Sequence, residues 1–270
     1  AGGMQAAELA PALQQLAAGR QPCGLVWGTG FEDRPELLAE LGARWPLLGN
    51  DADTVRQIKD PLWFARLCDA LGVAHPETAP TAPRQPAGWL RKRRGGAGGA
   101  HIRRACDGAD SGTDGCYFQR EIAGVAVSVL FLAAGGQARV LGCSEQWRAP
   151  TPLRPFRYGG AVRPAAPSPA VADALADTVR RLAAAVPLAG LNSADFLVEG
   201  GDCWLLEVNP RPGATLDIFE PADGSLVALH IAACGGRLPP CAPMLSGAAA
   251  SAIAYAEHDL PALACIDWPA

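Results

Sequence analysis

Residues 194–213 read ADFLVEGGDCWLLEVNPRPG, the most informative stretch of the chain. Two runs of alternating polar and apolar residues flank a Gly-Gly pair, which predicts a β-hairpin, because successive side chains of a strand point to opposite faces. Asp195 lies between apolar neighbours in the first run, and Glu207 and Asn209 share one face of the second. The polar face of the hairpin therefore carries two carboxylates and a carboxamide if the strands pair in the right register.

The turn of the hairpin sets that register. A three-residue loop, Gly200-Gly201-Asp202, places Asp195 opposite Glu207 and gathers the apolar residues of both strands on one face: Ala194, Phe196, Val198, Trp204, Leu206 and Val208. A two-residue Gly-Gly turn would set Asp195 against Leu206 and split the apolar face. Burial of a single apolar face therefore favours the three-residue loop.

Oxygen ligands on the polar face suit Mg²⁺, a hard ion that shares its coordination shell with waters and substrate phosphates. Arg211 follows two residues after Asn209, behind Pro210, and its planar guanidinium matches phosphate oxygens. An amphipathic hairpin with a solvated outer face explains the same pattern. The hairpin alone leaves both interpretations open.

Composition bounds the class of protein. The chain has 270 residues, 49% of them hydrophobic, a formal net charge of -4 and a pI near 5.6. This is enough apolar sequence for one large domain or two to three small ones, and the acidic balance gives no general reason to expect nucleic acid or membrane as a partner. Without an apolar run of transmembrane length or a signal-peptide pattern, we expect the protein in the cytoplasm. Nine cysteines without a CxxC pair favour reduced thiols over zinc or disulfides.

The N-terminal region predicts a small α/β unit. Residues 23–27 are typical of a strand that enters the turn Gly28-Thr29-Gly30, residues 35–41 of a short helix, and residues 45–48 of a second strand. A lone GxG more often marks a tight turn than a nucleotide site. Asp60-Pro61 then begins an amphipathic helix that ends at Gly72.

A basic, glycine-tipped hairpin follows at residues 91–104, where RKRR precedes Gly95-Gly96-Ala97-Gly98-Gly99. Glycines let backbone N–H groups approach oxygen anions closely, so this loop can cover a polyphosphate whose charge Lys92 and the arginines neutralise. A flexible basic surface turn or a nucleic-acid patch explains the same residues. The acidic total charge and the lack of interleaved aromatics argue against nucleic acid.

These elements, in this order, resemble the ATP-grasp superfamily from about residue 53 to about residue 220. In that family two lysines contact the phosphates, one on the first helix and one on the strand before a Gly-rich loop. A linker segment holds adenine, and a late D…ExN pattern holds the metal. Lys59 and Lys92 match the two lysine positions, and they are the only lysines of the chain.

The resemblance implies a role for each matching residue. ATP is bound by Lys59, Lys92, Gly95, Gly96, Gly98, Gly99 and the linker Gln119, Arg120, Glu121 and Ile122. The metal, Mg²⁺ or Mn²⁺, is held by Asp195, Glu207 and Asn209. Arg211 and Lys92 are the expected catalytic residues, because Arg211 matches the arginine that steadies the transferring phosphoryl group. The family's ribose-binding glutamate is replaced by Ala126, which leaves either Glu121 or backbone and water to hold the ribose.

Three further stretches resemble the branch that contains the tyramine-glutamate ligase of methanofuran biosynthesis. They are QREIAGVAVSVLFLAAGG from Gln119, GCSEQW from Gly142 and FRYGGAVRP from Phe156. The last stretch implies a Tyr158-Gly159-Gly160 loop that, with Arg211, contacts the acceptor substrate.

The expected architecture is therefore an α/β (α+β) ATP-grasp fold. Two α+β subdomains grip ATP, residues 55–122 with the lysines and the glycine loop and residues 123–270 with the metal and substrate sites. They follow a short pre-ATP-grasp α/β subdomain, residues 1–54, that looks truncated against the family.

The implied activity is an ATP-dependent carboxylate-amine ligase that forms an amide through an acylphosphate. Its partners are a small-molecule acid and amine, with glutamate and an aryl or alkyl amine in one-carbon cofactor biosynthesis as the specific expectation, and a homodimer is compatible with it. The alternatives are an ATP-binding regulatory module and a small-molecule kinase.

Overall fold

The structure of the protein, a computed structural model, describes residues 6–107, 115–221 and 224–256. The N-terminal part holds α1 (Ala6–Leu16), β1 (Leu25–Val26), α2 (Pro35–Gly42) and β2 (Leu47–Leu48), with β1 and β2 paired in parallel as a two-stranded sheet. The strands and the helix predicted for this unit are confirmed. Residues 1–5, 108–114, 222–223 and 257–270 of the predicted subdomains lie outside the described residues.

Two helices lead into a small sheet. They are α3 (Ala52–Ile58) and α4 (Pro61–Leu71), and β3 (Thr78–Ala79), β4 (Trp89–Arg93), β5 (Arg103–Arg104) and β6 (Cys116–Arg120) follow in the antiparallel order β3-β6-β4-β5. The carboxylate of Asp60 accepts from the backbone N–H groups of Leu62 and Trp63 at 3.0 and 2.7 Å, and Gly72 ends α4 at φ +61°. This confirms the helix predicted from Asp60 to Gly72. The boundary predicted between residues 54 and 55 falls inside α3, and the division into subdomains stays a prediction.

The remaining strands form a six-stranded antiparallel sheet in the order β11-β10-β7-β8-β9-β12. Its strands and helices are β7 (Val125–Ala134), β8 (Gln137–Arg148), β9 (Tyr158–Arg163), α5 (Pro169–Ala185), β10 (Gly190–Glu199), β11 (Asp202–Asn209), α6 (Leu216–Phe219), α7 (Leu226–Cys234) and β12 (Ala249–Ala252). Among the described residues no helix combines the length and apolar composition needed to cross a bilayer, and every cysteine is a free thiol.

The central strand β7 is covered on both faces, which explains its nearly continuous apolar sequence. Residues such as Val129 and Phe131 pack against α4 and α5, and Leu130 and Leu132, on the opposite face, pack against α6 and α7. Towards the start of β7 that second face carries Ser128, which lines a cavity instead of the core. The sheet thus changes on one face from a packed core to an open site.

The hairpin of β10 and β11 corrects the predicted turn. Glu199 pairs with Asp202, so Gly200 and Gly201, at φ +60° and +106°, form a two-residue turn, and the three-residue loop is wrong. Asp195 nevertheless lies opposite Glu207, as predicted.

A β-bulge reconciles the short turn with that register. Phe196 pairs with Leu205 while Asp195 pairs with Glu207, which leaves Leu206 as an extra residue on β11. A bulge redirects the following side chains, so Leu205 and not Leu206 enters the core, and Leu206 lines the cavity beside Glu207. The predicted apolar row that included Trp204 and Leu206 is therefore wrong.

The bulge makes a testable distinction between two adjacent leucines. Leu205 is fully buried, so Leu205→Ala should lower the free energy of unfolding by about 2–5 kcal/mol, measured by denaturant titration. The matched substitution Leu206→Ala faces the cavity and should cost distinctly less. Equal losses, or a larger loss at Leu206, would contradict the bulged register.

Candidate active site

A cavity of about 340 Å³ lies between the four-stranded and the six-stranded sheet. Side chains from both sheets reach it, including Lys92 of β4, Ser128 of β7, Asp195 of β10 and Glu207 of β11. The two sheets therefore form the walls of one site, and most of the residues singled out in the sequence converge on it.

The two acidic residues of the hairpin lie side by side at the floor of this cavity. Asp195 accepts hydrogen bonds from Ser128 Oγ at 2.6 Å and from Asn209 Nδ2 at 2.9 Å. Burial and the neighbouring carboxylate of Glu207 raise the pKa of Asp195 to about 6. Two carboxylates held this close to each other repel, and a cation that balances their charge relieves the repulsion.

Lys59 supplies positive charge at this point. It caps the C-terminus of α3, and its Nζ donates to Glu207 Oε2 at 3.1 Å, to the backbone oxygen of Val208 at 3.2 Å and to Asn209 Oδ1 at 3.0 Å. Burial favours a raised pKa for Glu207, but Lys59 and Lys92 outweigh burial and hold the pKa below its ordinary value. Three oxygen acceptors thus converge on one cationic group.

The donor set fits a hard divalent cation. Asp195, Glu207 and Asn209 offer two carboxylates and an amide oxygen on adjacent strands, and Asn209 Oδ1 already faces a positive charge. Within the described ranges no three His, Cys, Asp or Glu side chains cluster as a metal site. The third protein ligand of such an ion would therefore be the amide of Asn209.

Lys92 projects from β4 into the same cavity. Its side chain is buried, and its Nζ donates to Gln119 Oε1 on β6 at 2.6 Å. Burial lowers the pKa of Lys92, although the acid Glu207 acts in the opposite direction. Lys92 and Lys59 therefore act on the hairpin acids from different elements, and their contacts with phosphates stay a prediction.

The glycine loop closes one side of the cavity and is docked at both ends. Gly95, Gly98 and Gly99 adopt φ of +64°, +64° and +68°, a region that favours glycine. A Cβ on Gly99 would lie 1.9 Å from the backbone oxygen of Phe156, and Gly98 O accepts from the Tyr158 N–H at 2.9 Å. Gly96 leaves room for the ring of His101. The loop is held by close contacts and is not a flexible surface turn.

The arginines around this loop have partners within the chain. Arg94 pairs with Asp60 at 2.9 Å, Arg104 pairs with Glu121 at 3.0 Å, and Arg103 donates to two backbone oxygens. Arg94, Arg103 and Arg104 therefore have structural roles within the chain. These pairings remove much of the charge that a nucleic-acid surface would use.

The predicted linker, residues 119–122, begins in the last two residues of β6 and lines an apolar slot. Gln119 is buried, and Arg120, Glu121 and Ile122 also line the cavity. The apolar residues of the slot come from both sheets and the glycine loop: Leu90, Ile102, Leu197 and Leu206. A slot of this kind suits a flat heterocycle, with Leu206 placed there by the bulge.

Tyr158, Gly159 and Gly160 lie within β9, so the predicted loop over the acceptor is wrong in conformation. A Cβ on Gly159 or Gly160 would lie 2.8 or 2.3 Å from atoms of Trp147, so both glycines make room for this indole. Of the three residues only Tyr158 lines the cavity. Its hydroxyl has no hydrogen-bond partner in the described part of the chain, and burial raises its pKa to about 12.

Arg211 lies at the end of β11 and is buried. Its Nε pairs with Glu32, whose other carboxylate oxygen accepts from the Gly30 N–H at 2.9 Å. The turn interpreted as a simple GxG turn thus reaches the cavity, where Thr29 lines the wall. Glu32 and Arg211 are far apart in the sequence, so no local pattern indicates their contact.

Comparison with known proteins decides the family. The model of the ATP-grasp domain matches residues 60–215, more than half of the chain. The chain belongs to the ATP-grasp family. No curated protein sequence matches it.

Solved ATP-grasp structures show the same fold at low sequence identity. The biotin carboxylase domain of Hydrogenobacter thermophilus 2-oxoglutarate carboxylase, in complex with MgADP and bicarbonate, is 13% identical with a TM-score of 0.72, over 90% of this chain and 60% of that one. Campylobacter jejuni biotin carboxylase, as a β-γ-ATP complex, is 16% identical with a TM-score of 0.71. The match covers 89% of this chain and 61% of that one. N5-carboxyaminoimidazole ribonucleotide synthetase of Thermus thermophilus is 21% identical with a TM-score of 0.65. The match covers 89% of this chain and 68% of that one. This chain therefore spans about three-fifths of the two carboxylase chains.

The family match confirms the predicted ATP-grasp fold and the expected cofactors, ATP and Mg²⁺. The roles of individual residues stay predictions that rest on the geometry. Sequence reasoning missed Ser128, Glu32 and Trp147. Ser128 carried a usable signal, because it is the single hydroxyl in the apolar run of β7 and lies opposite Asp195.

The raised pKa of Asp195 predicts proton release when MgATP binds. Near pH 6 the carboxyl is partly protonated, and a cation favours its ionised form, so binding should release about half a proton from this group, whereas near pH 8 it should release almost none. Calorimetry in buffers of different ionisation enthalpy measures the release. The variant Asp195→Asn lacks this carboxyl, so its proton release comes from all other groups. Equal release by the variant and the wild type near pH 6 would contradict the raised pKa of Asp195.

Proposed function

We propose that the protein is an ATP-dependent carboxylate-amine ligase that forms an amide through an acylphosphate. The observation that carries this proposal is the gathering of the chain's only two lysines around one set of hairpin ligands. Lys92 lines the cavity together with Asp195, Glu207 and Asn209, and Lys59 donates to Glu207 and Asn209. Positioned charges of this kind suit phosphoryl transfer, which depends on orientation and electrostatics more than on covalent help from the protein.

In the proposed reaction a carboxylate oxygen of the acid attacks the γ-phosphorus of ATP. The bond from that phosphorus to the bridging oxygen breaks, and ADP leaves with the electron pair. The amine nitrogen then attacks the acyl carbon, inorganic phosphate leaves, and the nitrogen loses a proton. These steps balance without a redox partner.

The residues divide this work by their position. Asp195, Glu207 and Asn209 would hold Mg²⁺, which neutralises phosphate charge and orients the phosphate oxygens when bound. Lys59 and Lys92, which both interact with Glu207, balance the remaining charge of the polyphosphate. The amides of the glycine loop cover the phosphates, and the linker slot with Leu206 receives the adenine.

Arg211 and Tyr158 are placed for the substrate acid and the transferring group. Arg211 pairs with Glu32 and lines the cavity, and Tyr158 brings a neutral hydroxyl that makes no hydrogen bond within the described part of the chain. Trp147 forms an adjacent wall through an exposed indole. An aromatic wall with a hydroxyl donor supports glutamate and an aryl or alkyl amine as substrates.

Tyr158 and Trp147 line the part of the cavity that would bind the acceptor substrate. Their side chains support the tyramine-glutamate ligase branch, and a place in one-carbon cofactor biosynthesis, as the finer proposal. The predicted homodimer and the predicted location in the cytoplasm belong to the same proposal.

The direct test is ADP formation with ATP, Mg²⁺, glutamate and a panel of amines that includes tyramine. Glu207→Gln should keep the fold and lower kcat by about a hundredfold to a thousandfold, because it removes a charge that balances the metal and phosphates. Glu199→Gln is the matched control, since Glu199 lies exposed at the turn of the same hairpin. The amide product is identified by mass spectrometry.

Three outcomes would contradict the proposal in different ways. Wild-type activity in Glu207→Gln would overturn the metal assignment. ADP formation without an amine, with a stable phosphorylated product, would indicate a kinase. Nucleotide binding without ADP under any substrate combination would indicate a regulatory module.

A further inference from the structure

The N-terminal unit, residues 25–50, precedes residues 60–215, the range matched by the family model. Two of its residues, Glu32 and Asn50, nevertheless contact the candidate site. One contact is the ion pair of Glu32 with Arg211, and the other is a set of hydrogen bonds from Asn50. Both converge on the segment directly after the metal-binding pattern of β11.

Glu32 and Arg211 form a buried pair. Their exposed fractions are 5% and 7%, and the Gly30 N–H holds the second oxygen of Glu32 at 2.9 Å. Burial favours a raised pKa for Glu32, but Arg211 and Lys59 outweigh it and keep the pKa below its ordinary value, so the carboxyl is charged. A buried arginine needs such a partner, because an unpaired charge in this position is strongly unfavourable.

The pair fixes the direction of the guanidinium. Arg211 Nε is directed at Glu32, and Nη1 donates to the backbone oxygen of Pro212 at 3.3 Å. Among the described residues Nη2 of Arg211 makes no hydrogen bond, in contrast to Nε and Nη1. That nitrogen is left for an oxygen of a ligand in the cavity that Arg211 lines.

Asn50 fixes the backbone on the other side of the same arginine. Its Nδ2 donates to the backbone oxygen of Pro210 and to Asn192 Oδ1, both at 2.8 Å, and its Oδ1 accepts from the Ala189 N–H at 2.8 Å. Trp27 Nε1 donates to the backbone oxygen of Asn50 at 3.1 Å. The residue before Arg211 is thus tied to the core of the N-terminal unit.

We propose that Glu32 is a positioning residue for Arg211, with Asn50 holding the adjacent backbone, so that the N-terminal unit completes the active site. The proposal rests on the proposed function, in which Arg211 contacts the transferring phosphoryl group. Glu32 touches neither substrate nor nucleotide in this account. It acts by aiming the free nitrogen of Arg211.

A ligand that mimics the transferring group separates this role from a purely structural one. MgADP alone does not occupy the position of the γ-phosphoryl group, whereas MgADP with aluminium fluoride does. A positioning role predicts that loss of Glu32 weakens the fluoride complex and leaves MgADP binding nearly unchanged. A purely structural role would weaken both equally or neither.

The variants are chosen to keep the protein folded. Glu32→Gln keeps the size and removes the charge, Glu32→Asp keeps the charge and shortens the reach, and Arg211→Gln removes the positioned group. Glu36→Gln, an exposed acid on α2 of the same unit, is the matched control. Thermal melts establish whether each variant is folded. If Glu32→Gln does not fold, the comparison is made with Glu32→Asp.

We expect affinity for MgADP with aluminium fluoride to fall about tenfold to a hundredfold in Glu32→Gln and in Arg211→Gln, since a displacement of about 1 Å has effects of this size. Glu32→Asp should recover part of the loss, affinity for MgADP should change less than about twofold, and Glu36→Gln should match the wild type.

Each opposite result has its own meaning. If Arg211→Gln weakens the fluoride complex and folded Glu32 variants do not, the positioning role is overturned while the proposed function stands. If Arg211→Gln has no effect, or the wild type binds no MgADP, the proposed function itself fails.

Discussion

The repulsion between two carboxylates that face each other in the cavity, Asp195 and Glu207, is the constraint on which the site depends. Neighbouring strands place them opposite each other, and burial with mutual repulsion raises the pKa of Asp195 to about 6. Such a pair is tolerated only where cations compensate it, and Lys59 and Lys92 approach from two other elements to do so. The same charges that stabilise the hairpin prepare it for a metal ion and a polyphosphate.

The surrounding structure preserves that arrangement. A β-bulge keeps the acids aligned although the turn has only two residues, and it moves Leu206 to the cavity. The glycine loop is docked on Phe156 and Tyr158, which brings the small sheet against the large one. The N-terminal unit holds Arg211 through Glu32 and its backbone through Asn50. Elements from three parts of the chain therefore meet at one cavity.

Local patterns predicted much of this from the sequence. Alternation on β10 and β11 predicted the facing acids, and capping residues predicted α4 with its bounds. The two isolated lysines and the glycine loop indicated the ATP-grasp family, which the family match confirms. The bulge escaped prediction, because a single apolar face is satisfied equally by a longer turn or by an extra residue. The role of Glu32 was not predicted, because its partner Arg211 is distant in the sequence. The sequence predicts a loop at Gly159 and Gly160, because the need to make room for Trp147 exists only in the folded sheet.

The most direct measurement is a crystal structure with Mn²⁺ and a non-hydrolysable ATP analogue, in which anomalous scattering locates the metal. We expect a metal peak bound by Asp195, Glu207 and Asn209 at about 2.0–2.3 Å, shared with phosphate oxygens, and Lys59 turned from Glu207 towards the phosphates. A metal bound away from Glu207, or a nucleotide outside the cavity between the two sheets, would contradict this expectation.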